Sequence, residues 1–193
     1  MHLFEYVGVL VSIVVGLALA HILTGVSRTL QAFGQIRLYW VHALWVLNIM
    51  AYLVFFWWFM YHWSSVESWN FFLFVFLLLY AVTLYLISAL LFPGEVSPGF
   101  DFKEHYFRTN RWVFGFLTAA YVLDVIETTT KAVLGLKEFP ALWFPVVVPS
   151  AIGAAIAAST RNERFHKIFA PVWLVLLLIF ILFARRVQTE AGM

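Results

Sequence analysis

Six apolar runs, each long enough to cross a bilayer, constrain this chain more than any motif it contains; the short segments between them hold nearly all the Arg and Lys. At 1.5 Å per helical residue, a hydrocarbon core of roughly 30 Å needs about 20 apolar residues. Backbone polar groups have no water to bond to at that depth, so a run of this kind must be helical. The sequence therefore predicts an all-α, polytopic membrane protein: a single domain over residues 1–193, built as a bundle of six transmembrane helices at about 4–26, 39–61, 70–92, 112–134, 139–159 and 168–184. The breaks carry ordinary punctuation: Gly34, a polar run at 64–68, Pro93-Gly94 with Pro98-Gly99, Gly135 with Pro140, and the basic segment 161–167.

Composition agrees. Apolar residues make up 64% and charged residues only 11% of the chain, with a mean hydropathy of +0.91, whereas soluble domains carry roughly a quarter charged residues. The net charge is only +2 and the basic residues sit at span edges, where they read as orientation signals and not as a nucleic-acid surface. Lacking Cys, the chain has no disulfide and no thiolate chemistry. The leading segment, residues 1–6, holds Glu5 and no Lys or Arg, which is the wrong charge for a signal peptide, so the first helix is expected to be retained.

Eight basic residues (Arg28, Arg37, Lys103, Arg108, Arg111, Arg161, Arg164, Lys167) fall on one side of the predicted spans. Four (Lys131, Lys137, Arg185, Arg186) fall on the other. The positive-inside rule then puts the first side in the cytoplasm and both termini outside, for an integral protein of the bacterial inner membrane type. Trp40, Trp63, Trp69, Trp112 and Trp143 stand at predicted interfaces. The longest connector, 93–110, predicts a short amphipathic helix lying in the interface before helix 4, capped by Asp101 with Glu104 three residues on.

Helix 4 holds the polar groups most in need of explanation. Tyr121, Asp124, Thr128 and Lys131 are spaced three, four and three, forming one helical stripe with Glu127 on its flank. Each charge near the midplane costs about 2.5–3.5 kcal/mol on insertion scales if it faces lipid, so the stripe must face protein or water. Asp124 is the candidate coupling acid, and Glu127 with Lys131 a gating or structural pair.

Helix 1 carries two distinct faces. Gly8, Ser12, Gly16 and Ala20 form a small-residue ridge suited to close helix contact, within a homo-oligomer or at the bundle centre. Roughly opposite lie Leu17, His21, Thr24, Gly25 and Arg28, with His21 a candidate cytoplasmic-side relay. His21 and His42 fall at similar depth, and two histidines could ligate haem or a metal or pass protons, although the sequence requires no cofactor. Glu5 is a candidate partner for Lys131 across helices 1 and 4. His62, His105 and His166 fall at predicted interfaces and are expected to be solvated; His2 is terminal.

Helix 5 has Pro140, Pro145 and Pro149 ahead of a small-residue stretch, in which Ser150, Ala154 and Ala158 offer a second ridge for self-association. Helix 6 has no ionisable residue over 172–184 and is expected to face lipid. The aromatic load of helices 2 and 3 reads mainly as lipid-facing and interfacial. Signatures of nucleotide-binding, hydrolase and zinc-protease sites are missing, so an enzyme is not expected.

The leading expectation is an ion, proton or small-solute channel or transporter whose polar interior comes from helices 1, 4 and 5. The alternatives are a cofactor- or lipid-binding protein, such as a haem or quinone electron carrier or an intramembrane enzyme, and an accessory subunit of a larger membrane complex. In every case the lipid bilayer is a partner and nucleic acid is not.

Overall fold

The computed structural model describes residues 3–66, 69–136 and 143–190, with side chains from Phe4 to Leu182. His2, Lys137 and Pro140 lie outside these residues, as do the side chains of Arg185 and Arg186. Among the described residues the chain is all-helical: α1 (Leu3–Gln31), α2 (Trp40–Phe59) continued by a 3-10 turn (Met60–Ser65), α3 (Phe71–Leu91), α4 (Phe102–Val133), α5 (Trp143–Ser159) and α6 (Glu163–Glu190). Five of these, all but α5, are long and apolar enough to cross a membrane, making this an integral, multi-pass membrane protein. The described part of α5 has 17 residues, and the first residues of its expected span fall among those not described.

Local chemistry sets the helix ends. Asn70 caps α3 by accepting from Leu73 N, and α3 stops at Phe92, which is held extended (φ −116°, ψ 147°) ahead of Pro93. Asp101 caps α4 by accepting from the amides of Lys103 and Glu104. No separate amphipathic helix precedes helix 4: α4 runs unbroken for 32 residues, about 48 Å at 1.5 Å per residue, because nothing between Phe102 and Trp112 interrupts the backbone ladder. At its far end Gly135 takes φ +68° and Leu136 N returns to Lys131 O, a glycine-terminated helix.

At the basic end, two connectors pair briefly. Arg37 N donates to Phe100 O, Phe102 N to Arg37 O and Gly99 N to Gln35 O, which ties the α1–α2 loop to the residue that caps α4.

Most of the polar stripe and of the small ridge of α1 stays out of the core, Gly25 against the Phe92 ring being the buried exception. Val7, Val11, Val15, Ala18 and Ile22, spaced four, four, three and four, are the buried face and pack on α3 and α2. The ridge of Gly8 and Gly16 looks outward, with open space where a Cβ would stand. Helix 1 therefore lies at the periphery and does not furnish the interior.

Helix 6 also departs from expectation. His166, Phe169, Ala170, Trp173 and Leu177 are buried, while Ile168, Val172, Val175, Leu178, Ile179 and Leu182 are exposed. Of the second ridge, Ser150 and Ala154 are buried in the chain's own packing, while Ala158 is half-buried.

Helix association in lipid gains nothing from expelling water and relies on close contact. Gly153 shows this at the α5–α6 crossing, where a Cβ would run into the Phe169 ring. Gly153→Val is expected to lower stability by about 1–3 kcal/mol through overpacking, seen as a lower midpoint of thermal unfolding in detergent, whereas Gly16→Val should be neutral for the monomer.

Candidate functional site

One stripe of α4 and the aromatic side chains of four other helices enclose a cavity of about 70 Å³. From α4 come Tyr121, Asp124, Glu127, Thr128 and Lys131; α2 contributes Tyr52, α3 Tyr80, α5 Trp143 and Ser150, and α6 Trp173. The cavity lies in the half of the bundle away from the basic loops, since it uses the second halves of α2 and α4, the middle of α6 and the first half of α5. No residue of α1 lines it.

Lys131 is 2% exposed and fully engaged. Its Nζ lies 2.5 Å from Glu127 Oε1, donates to Phe59 O at 3.2 Å and stands 5.1 Å from the centre of the Trp63 ring. Phe59 ends α2, so the ammonium also meets the negative end of that helix dipole. Glu127 accepts a further bond at Oε1 from Trp63 Nε1, at 3.0 Å. A pair removed from water this far repays its desolvation only with further hydrogen bonds, and here Trp63 Nε1 and Phe59 O supply two. The lysine thus belongs to Glu127 and the end of α2, while Glu5 lies exposed in the first turn of α1.

Asp124 is held differently. Its Oδ2 accepts from Trp143 Nε1 at 3.1 Å and its Oδ1 from the Tyr80 hydroxyl at 3.4 Å. Because Tyr80 donates to the carboxylate, the 2.8 Å contact between Tyr52 and Tyr80 must have Tyr52 as donor, giving a directed chain from Tyr52 through Tyr80 to Asp124. Beside it, Trp173 Nε1 donates to the Tyr121 hydroxyl at 2.5 Å. Among the described residues Asp124 receives hydrogen bonds from the neutral donors Tyr80 and Trp143, and the cavity lining holds two carboxyl groups and one lysine.

Comparison with family models, curated proteins and solved structures finds no match. What the cavity can do follows from its own chemistry. It is a small, largely aromatic chamber with two carboxyl groups, one lysine amine and several hydroxyl oxygens.

The remaining candidates lie elsewhere. His21 and Arg28 line a separate open hollow between α1 and the end of α3, with Tyr85 and Phe92, and Arg28 donates to Gly94 O at 2.7 Å. His42 does not join His21. Its Nε2 meets Leu91 O at 2.7 Å, and His105 Nε2 meets the same carbonyl at 3.1 Å. A carbonyl only accepts, so both Nε2 atoms carry hydrogen and cap the end of α3. Among the described residues no group of three His, Cys, Asp or Glu side chains could hold a metal ion.

His105 and His166 are buried, not solvated, because each is needed at a helix end. His166 Nε2 donates to Thr160 O while its Nδ1 accepts from the Tyr106 hydroxyl, and Asn110 Nδ2 donates to Ala157 O and Thr160 O. Together they satisfy carbonyls that the end of α5 leaves open.

Tyr52, Tyr80, Trp143 and Trp173, which line the cavity, and Trp63, which holds Glu127 from behind it, were not singled out as site residues from the sequence. A signal for some of them existed. Tyr52, Tyr80 and Trp173 fall well inside apolar spans, away from the interface where such residues usually rest, and a polar tip at that depth demands a partner.

Proposed function

We propose that this protein takes a small cation, a proton included, into the cavity at Asp124 as a step in carrying it across the bilayer. One observation carries the reading: Lys131 is paired with Glu127, and among the described residues no cation pairs with Asp124 inside the bundle. An uncompensated charge at that depth is expensive, and a bound cation or proton removes the cost. The chain Tyr52–Tyr80–Asp124 supports a proton as one such species, since hydroxyls in series both donate and accept. With the basic loops in the cytoplasm, the cavity lies toward the outer surface, from which the cation would enter.

The test is flux. Purified protein in liposomes, given a pH-sensitive dye inside and an imposed proton or monovalent-cation gradient, should dissipate the gradient faster than empty liposomes. A rate equal to that of empty liposomes for protons, alkali cations and small ammonium ions would refute the reading.

A further inference from the structure

Resting on that reading, we infer that the cavity is built for a protonated amine of very few heavy atoms, of the size of ammonium or methylammonium, in preference to a bare metal ion or a bulky organic cation.

Size is the first constraint. At about 70 Å³ the cavity is roughly half the ~150 Å³ void that admits benzene, so a cation with several carbon substituents does not fit without displacing side chains. A few water molecules or one small ammonium ion do fit.

Lining chemistry is the second. A hard divalent cation takes six or more oxygen ligands, and a transition metal takes imidazole, thiolate or clustered carboxylates. This chamber offers one carboxylate not paired with a lysine and walls of Tyr52, Phe56, Tyr121, Trp143 and Trp173, whose π faces attract N–H cations. Lys131 on the Trp63 ring shows an ammonium of this very chain held by a carboxylate, a carbonyl and an indole face together.

Hydrogen-bond inventory is the third. An alkylammonium brings three donors and no acceptor. Around Asp124 stand oxygens with lone pairs to spare: its own carboxylate, the Tyr80 and Tyr121 hydroxyls and Thr128. The two tryptophan N–H groups are each already taken up by one of these oxygens, that of Trp143 by Asp124 Oδ2 and that of Trp173 by the Tyr121 hydroxyl, which leaves Asp124 Oδ1 facing no indole donor.

The experiment is equilibrium dialysis of radiolabelled methylammonium against the purified full-length protein, alongside the liposome proton-flux assay. Saturable binding is expected, displaced by ammonium but not by equal concentrations of sodium or tetraethylammonium. Asp124→Asn should weaken it at least tenfold. Phe55→Ala, which removes a ring from the cavity wall without touching the polar cluster, should let larger ammonium ions compete. Saturable sodium-displaceable binding, or equal competition by tetraethylammonium in the unaltered protein, would overturn the inference. Proton flux that depends on Asp124 without any methylammonium binding would overturn it while leaving the broader cation reading intact; loss of both would remove the two together.

Discussion

Replacing Lys131 by Met is expected to destabilise the protein by about 3–5 kcal/mol, the largest effect of any single substitution considered. The methionine fills most of the lysine's volume, so the loss is not a packing loss. It comes from Glu127, which would keep one bond from Trp63 Nε1 but lose the ammonium that neutralises it, and from Phe59 O, which would lose its donor. Removing both charges should be far milder. The double variant Glu127→Leu, Lys131→Met should recover most of the lost stability, because a buried ion pair contributes little net free energy once neither member is stranded. Unfolding midpoints of the two single variants and the double variant, measured in one detergent, form a double-mutant cycle that reports the coupling directly. A single-variant loss below about 1 kcal/mol would mean that water reaches the pair.

Asp124→Asn is expected to behave in the opposite way: little change in stability and a large change in function. Asparagine is isosteric, and its carbonyl oxygen still accepts from one of the two donors now directed at the carboxylate, Tyr80 or Trp143. What it cannot do is carry charge. A charged hydrogen bond contributes about 1.5–3 kcal/mol, so cation affinity and the flux that depends on it should fall about 10- to 100-fold. Liposome flux and thermal unfolding on the same preparation separate the two effects. Unchanged flux in a folded Asp124→Asn protein would remove Asp124 from the pathway.

Much of this molecule was legible from its residues alone. Six helices follow from apolar run length, five of them long and apolar enough among the described residues to cross a membrane, and the Asp101 cap follows from residue type and spacing. The stripe Tyr121, Asp124, Thr128 and Lys131 follows from the 3.6-residue period, and the structure brings all four, with Glu127, onto one cavity. Periodicity shows which side chains share a face.

It does not show what faces them. Helix 1 carried the most conspicuous pattern, a small-residue ridge opposite a polar stripe, yet it packs by a valine face between the two and touches no part of the cavity. Helix 6 looked uniformly oily and supplies Trp173 to the site. His21 and His42 matched in depth, but depth along a helix leaves its rotation free, and the α3 carbonyl of Leu91 claims His42 together with His105.

The division has one physical cause. Solvent selection acts residue by residue: lipid demands long apolar helices and penalises every charge, so the number of spans and the polarity of α4 are written locally. Pairing acts between helices, and in lipid it turns on close contact and on hydrogen bonds formed across distant positions, such as Trp63 with Glu127 and Trp143 with Asp124. Only the folded bundle decided that Lys131 would be spent on Glu127 and that Asp124 would be left to neutral donors.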